Sequence, residues 1–254
     1  MSDSTAAYRI DLNADLGEGS PEDAEVIRWV SSANIACGGH AGDAESMAAA
    51  VARCAAQGVR LGAHPGYPDR AGFGRRELGL TPAEIGVAVR AQVTSLKAIA
   101  DDAGVPLIHV KPHGALYHRA AQDAEVAAVL IEVIRDLDPQ LALVGLAGSP
   151  LLDAARAAGL RVLAEAFADR GYRADGGLQP RGLVGALIEA PDAVAAQALE
   201  LVREGAVRAV DGQRVAVRAD TLCLHGDGAG AAARAAALHR ALMAAGVQIA
   251  AVQP

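Results

Sequence analysis

Val110-Lys111-Pro112-His113-Gly114-Ala115-Leu116-Tyr117-His118, led in by Pro106-Leu107-Ile108-His109, is the stretch that decides the fold. Residues 106–110 are apolar and partly β-branched, the pattern of a short buried strand. Pro112 has no backbone donor and a fixed φ, which a central strand does not tolerate, so the strand stops there. Gly114 lets the chain turn sharply, and apolar residues at helical spacing follow from about Asp123 to Leu137. This is one β/α unit, and it carries Lys111 and His113 on a stiff turn where the strand ends.

The same unit recurs on both sides. Val59-Arg60-Leu61-Gly62-Ala63-His64 is a strand that Pro65 stops just after a histidine. Ser32 to Cys37 is another, followed by a glycine-rich turn holding His40 and by Asp43, which suits the cap of a helix over Ala44–Gln57. Thr81 and Glu84 have the spacing of a reciprocal cap for a helix running to about Ala103. At the start, Ile10, Leu12 and Ala14 alternate with Asp11, Asn13 and Asp15, a period-two strand with one strongly polar face. Gly17-Glu18-Gly19 follows it, and Ser20-Pro21-Glu22-Asp23 reads as a helix start with Ser20 as cap.

Toward the C-terminus, Leu141–Leu146 and Arg161–Phe167 read as strands, the second running into Glu165, Asp169 and Arg170. Helices are expected after Ser149-Pro150 and from Pro191 to about Glu204, and a small hairpin around Asp211-Gly212. Thr221–Leu224 is the last strand, ending at His225 and Asp227, and an Ala-rich helix runs from about Gly230 to Ala245. Two long polar loops, Asp69–Glu77 and Gly171–Arg181, are of a length usually kept for function. Arg75 in the first suits carboxylate or phosphate recognition, or plain solvation.

Seven strands alternating with helices imply parallel β/α architecture. Polar residues stand just past strand ends at Asp15, His40, His64, His113, Asp169 and His225. A barrel gathers such ends round one mouth, whereas an open sheet does not. The expected fold is therefore α/β, a single seven-stranded β/α barrel domain over residues 1–254.

The chain has 23 basic against 30 acidic residues, for a net charge of −7, and no basic patch, which argues against a nucleic-acid binder. Three cysteines without metal-type spacing read as reduced thiols. The N-terminus lacks the features of a signal peptide, and no run is long and apolar enough to span a membrane. A cytoplasmic location is expected. Phosphate-loop, dinucleotide and nucleophile-elbow motifs are absent. Histidines from four strand ends (His40, His64, His113, His225) point to a shared site serving one of two chemistries. One is hydrolysis on a divalent metal held by histidines with Asp11 or Asp15. The other is metal-free acid–base chemistry with Lys111 stabilising an oxyanion.

Asp11 to Glu18, Ser32 to Asp43, Gly72-Phe73-Gly74-Arg75-Arg76-Glu77, Val110 to Tyr117, Phe167-Ala168-Asp169-Arg170 and His225-Gly226-Asp227 together resemble the LamB/YcsF family. The resemblance implies a seven-stranded barrel of the glycoside hydrolase/deacetylase type. It also implies ATP-dependent ring opening of 5-oxo-L-proline to L-glutamate with two partner subunits (PxpB and PxpC), which use ATP and Mg²⁺ to activate the lactam. Catalysis is then expected from Asp15, His64, Lys111 and His113, with Asp15 or His113 as base and Lys111 on an oxyanion or phosphate. Substrate contacts are expected from Asp11, Asn13, Glu18, His40, Arg75, Glu165, Asp169, Arg170 and His225. Candidates for a bound divalent metal are Asp11, His40 and His64. Gly39 stands where the family usually carries a bulky apolar residue. Two rival readings are a metal-dependent deacetylase or carbohydrate hydrolase on the same barrel, active without ATP, and a non-enzymatic protein that binds a small acid or carbohydrate.

Overall fold

The alternation of residues 10–15 becomes the first strand of a closed barrel. The structure, a computed structural model, describes residues 8–224 and 230–252. Its strands are β1 (Arg9–Leu16), β2 (Ser32–Ala36), β3 (Arg60–His64), β4 (Leu107–Val110), β5 (Ala142–Leu146), β6 (Arg161–Phe167), β7 (Ala206–Arg208), β8 (Arg214–Ala216), β9 (Thr221–Leu224) and β10 (Gln248–Ile249). The helices are α1 (Asp23–Val26), α2 (Ala44–Gln57), α3 (Pro82–Asp102), α4 (Gly114–Gln122), α5 (Ala124–Leu137), α6 (Pro150–Ala157), α7 (Pro191–Glu204) and α8 (Ala231–Ala244). Strands β1 to β6 pair in chain order and in parallel, and β9 joins β6 to β1, which closes the expected seven-stranded β/α barrel. Strand β10 adds to the start of β1 at Arg9 and Ile10, and β7 and β8 form the hairpin around Gly212.

The helix starts follow their caps. Asp43 accepts from Ser46 N at 2.8 Å while the Ser46 hydroxyl accepts from Asp43 N, and Thr81 and Glu84 make the same reciprocal pair at the head of α3. Each such cap contributes about 1 kcal/mol. Two elements depart from the sequence reading. The expected start with Ser20 as cap falls two residues later, at Glu22, and yields the four residues of α1 and a 3-10 turn over Ile27–Trp29, while Asp23 accepts from Gly17 N at 2.9 Å. Conversely, α4 begins at Gly114, directly after His113, where Pro112 and Gly114 read as loop. Asp123 both ends α4 and caps α5, so no gap separates the two helices.

Outward residues of the strands (Leu12, Ile35, Leu61, Val110, Leu222) are buried in the main apolar core. The inward face is different. Asn13 on β1 bonds Glu165 on β6, and Asn34 on β2 bonds His109 on β4, pairs that do not neighbour each other in the sheet and so meet across the lumen. The barrel interior is therefore polar where β1, β2, β4, β9 and the end of β6 meet, while Ala142, Val144 and Leu163 on β5 and β6 form a small apolar cluster apart from the main core. Gly62 on β3 makes room for this: a Cβ there would lie 1.9 Å from His109 Nε2.

Gly62→Ala is accordingly expected to destabilise the fold by about 1–3 kcal/mol, the usual cost of overfilling a packed interior. Gly182→Ala, where a Cβ meets nothing within 4 Å, should leave the urea midpoint nearly unchanged. Equal midpoints for the two variants would refute the packed lumen.

Candidate active site at the C-terminal mouth of the barrel

The lumen is built in layers from the inward residues of β1. Lowest is Asp11, whose Oδ1 accepts from the Ser31 hydroxyl at 2.6 Å and whose Oδ2 accepts from Ser32 and Thr221 hydroxyls at 2.7 and 2.6 Å. Burial pushes its carboxyl upward against these hydroxyl bonds. Next comes Asn13, donating to Glu165 Oε1 at 3.1 Å and Thr221 Oγ1 at 2.6 Å and accepting from Asn34 Nδ2 at 2.8 Å. His109 donates from Nε2 to Asn34 Oδ1 at 2.6 Å, and burial lowers its imidazole to about 3, so it stays neutral.

Above this lies Lys111, with its ammonium buried between two carboxylates. Its Nζ is 2.9 Å from Asp15 Oδ1, 2.8 Å from Glu165 Oε1 and 3.2 Å from Cys223 Sγ. An ammonium has three donors, and these partners share them with Asn13 Oδ1 at 3.4 Å. Burial alone would strip the proton from Lys111, but the charges around it, Asp15 foremost, hold it well above the usual lysine range. Asp15 answers in kind: burial works to raise it, and His64 with Lys111 draws it well below the usual carboxylate range. Asn34 also donates to Asp15 Oδ1 at 2.8 Å, which leaves Oδ2 turned to His64 Nε2 at 3.3 Å.

The top layer is a knot of imidazoles. His40 stacks on His113 with ring centroids 3.6 Å apart and planes within 6°, and His64 meets both edge-on. Glu18 Oε1 sits among them, 2.9 Å from His40 Nε2, 3.4 Å from His113 Nδ1 and 3.8 Å from His64 Nε2. Burial first, then neighbouring positive charge, lowers His40 to about 3 and His113 to about 2. Burial acts the same way on His64, but the Asp15 carboxylate outweighs it and the net direction is upward. These four residues place one ligand atom each within 4.8 Å of all the others, a grouping that could hold a metal ion. Gln92 reaches in from α3, donating to Gly66 O at 2.8 Å and accepting from Gly66 N at 3.0 Å. Its amide occupies the space a side chain at Gly39 would take, since a Cβ there would lie 2.3 Å from Gln92 Oε1.

A cavity of about 710 Å³ opens above this floor. Asp15, Glu18, His64, Lys111 and His113 line it together with Tyr117, Phe167 and the arginines Arg75, Arg119, Arg170, Arg173 and Arg181. The Arg75 guanidinium lies 4.9 Å over the Phe73 ring. Arg170 is buried and donates to the carbonyls of Ala186 and Gln179 at 3.0 and 2.7 Å.

Of the residues singled out in the sequence, Asp15, Glu18, His64, Arg75, Lys111, His113 and Arg170 line the cavity. Asn13, His40 and Glu165 lie directly behind them, bonded to the lining. Asp11 sits lower, apart from the cavity and the histidine cluster, its oxygens occupied by hydroxyls. Asp169 is buried next to Arg170 and does not line the cavity. His225 lies outside the described residues. Sequence reasoning missed Asn34, His109 and Tyr117. The first two were findable, for each stands two residues from an inward position, Ser32 and Lys111 respectively, and shares its face.

Residues 10–254 match the LamB/YcsF family. A relative from Chloroflexus aggregans, named as the A subunit of 5-oxoprolinase, is 54% identical over 245 residues, which cover 94% of this chain and 97% of that one. Another of the same name, from Neisseria meningitidis serogroup B, is 46% identical over 243 residues, 96% of this chain and 99% of that one. Among solved structures, the lactam utilization protein from Thermus thermophilus matches with a TM-score of 0.90 at 46% identity, over 96% of this chain and 100% of that one.

Removing the ammonium at the centre of the lumen should be costly. Lys111→Met leaves Asp15 and Glu165 buried without their cation and is expected to lose about 3–5 kcal/mol of stability in urea titrations. Adding Glu165→Gln should recover part of that loss. A double variant no more stable than the single one would show that the two carboxylates are not coupled through Lys111.

Proposed function

The chain belongs to the LamB/YcsF family, and on that premise we propose that it performs the ring-opening half of an ATP-dependent 5-oxoprolinase, converting 5-oxo-L-proline to L-glutamate with two partner subunits (PxpB and PxpC). The observation that carries the reading is the likeness, over nearly the full length of both chains, to proteins named as the A subunit of that enzyme. The chain has no phosphate-binding loop, so ATP and its Mg²⁺ are assigned to the partners. Three buried free thiols, Cys37, Cys54 and Cys223, suit a reducing compartment, and no helix among the described residues is long and apolar enough to cross a membrane. We place the complex in the cytoplasm.

A five-membered lactam is a resonance-stabilised amide that water attacks slowly. Phosphorylation of its oxygen makes the carbonyl carbon a better electrophile. One water adds to that carbon, the C–N bond breaks as nitrogen takes a proton, and a second water takes up the phosphoryl group. The sum is 5-oxoproline, ATP and two waters giving glutamate, ADP and phosphate. In this reading Asp15 takes the proton of the attacking water through Oδ2, the oxygen that Lys111 and Asn34 leave open. Lys111 keeps Asp15 ionised and still, so its role is electrostatic rather than direct contact with an oxyanion. His64 stands beside Asp15, its Nε2 3.3 Å from Oδ2, and holds that carboxylate in place. Arg75 and Arg170 on the cavity wall suit the substrate carboxylate and phosphoryl oxygens, while Asn13, Glu165, Asp11 and Asp169 hold this constellation from behind.

With both partners and ATP present, glutamate release should require all three chains. Asp15→Asn should lower kcat by about 100- to 10,000-fold, the range for loss of a general base. Glutamate release by this chain alone, or release of acetate from acetylated sugars without ATP, would favour the deacetylase reading instead.

A further inference from the structure

The histidine knot holds a pairing that two neutral imidazoles cannot make. His64 Nδ1 lies 2.8 Å from the Lys111 carbonyl oxygen, and His113 Nε2 lies 2.8 Å from the Phe73 carbonyl oxygen. A carbonyl only accepts, so both nitrogens must carry the proton. In a neutral imidazole the other nitrogen then presents a lone pair. Those other nitrogens, His64 Nε2 and His113 Nδ1, face each other at 3.0 Å. Two lone pairs at that distance need something positive between them.

The surroundings supply more ligands than a proton can use. His40 Nε2 and Glu18 Oε1 join the two nitrogens, and all four atoms lie within 4.8 Å of one another. A zinc-type ion held at about 2.0–2.2 Å by nitrogen and oxygen ligands spaces them roughly 3.4 Å apart in a tetrahedron, and the three Glu18 distances are 2.9, 3.4 and 3.8 Å. Backbone carbonyls that fix the outer nitrogen of each imidazole are the usual outer support of a metal-bound histidine. The protein strains itself to provide one of them. Phe73, with φ +53°, is the one non-glycine residue in the left-handed region among those described, and its carbonyl is the partner of His113. The backbone also closes tightly on the rings. A Cβ on Gly66 would lie 2.8 Å from His40 Nδ1, and one on Gly74 would lie 2.8 Å from His40 Cβ and 2.9 Å from His113 Cδ2.

We propose that Glu18, His40, His64 and His113 form a binding site for a divalent transition-metal ion of the zinc type. Three imidazoles and one carboxylate favour such an ion over magnesium or calcium, which take oxygen ligands. Glu18, His64 and His113 line the cavity, so an ion there is open to the substrate space. When bound it supplies Lewis acidity toward a carbonyl oxygen or a water. Its use in ring opening rests on the 5-oxoprolinase reading, but its binding does not.

The test uses the full chain without substrate or partners, stripped with chelator, dialysed and titrated with Zn²⁺ alone or Co²⁺ alone. The expected result is one equivalent bound per chain, a Co²⁺ visible spectrum that Zn²⁺ displaces, and a Tm that rises with zinc concentration. Glu18→Gln and His113→Ala should each weaken zinc affinity by at least about 10- to 100-fold, the loss that even outer partners of a metal ligand produce. His239→Gln, a site on α8 where the ring bonds the Trp29 carbonyl, should leave it unchanged. Natively folded wild type that retains no zinc overturns the proposal and leaves a proton shared between His64 and His113. Wild-type affinity in both cluster variants also overturns it. Should His113→Ala fold poorly, the near-isosteric Glu18→Gln and the Co²⁺ spectrum carry the test. Zinc binding without glutamate release by the full complex would sink the 5-oxoprolinase reading and leave the site standing.

Discussion

A lysine ammonium held in the middle of a barrel, between carboxylates from two other strands, is the interaction on which the rest of this structure depends. Lys111 comes from the end of β4, Asp15 from β1 and Glu165 from β6. Placing a charge there is unfavourable unless its partners are close and themselves hydrogen-bonded. The partners are. Asn13 bridges Glu165 to Thr221 and Asn34, and Asn34 bridges Asp15 to His109, so one connected network serves the cation and both anions. That network sets the orientation of Asp15, and through Asp15 the state of His64, before any ligand arrives. The floor of the cavity is thus organised in advance, which is how an electrostatic site avoids reorganisation when it acts.

Much of this was legible in the chain itself, for identifiable reasons. Strand ends marked by His-Pro at 64–65 and Lys-Pro-His at 111–113 stop where proline forbids further pairing, and the helix caps at Asp43 and Thr81 are local chemistry that needs no tertiary context. The alternation in β1 gave the two faces correctly. It could not say whether the polar face met solvent or a lumen, because that depends on barrel closure. For the same reason Asn34 and His109 passed as ordinary strand residues: they bond each other inside the lumen from positions 75 apart, and Asn34 reaches Asn13 and Asp15 as well.

The places where local rules failed are equally physical. Helix α4 was hidden because Pro112 and Gly114 punctuate its start and Asp123 ends it while capping the next helix. The start of helix α1 was placed too early: Ser20 accepts from Glu22 N in a turn, and the helix is capped at Glu22 and begins at Asp23. Lys111 drew attention at a strand end as a group for an oxyanion or phosphate. Its protons are directed at Asp15, Glu165 and Cys223, and no sequence spacing reveals a partner that is 54 or 112 residues away.

The polar lumen also acts as a lock on strand register. A barrel filled with leucine and valine can slide one strand against its neighbours and still bury grease against grease. Here a one-residue slip of β1 would turn Leu12, Ala14 and Leu16 inward and expel Asp11, Asn13 and Asp15. Lys111 would then face an aliphatic wall, and Asn34, Thr221 and Ser32 would lose their partners together. Misregistered barrels are penalised at every layer at once, so the charged column that prepares the site also proofreads the assembly of the seven strands around it.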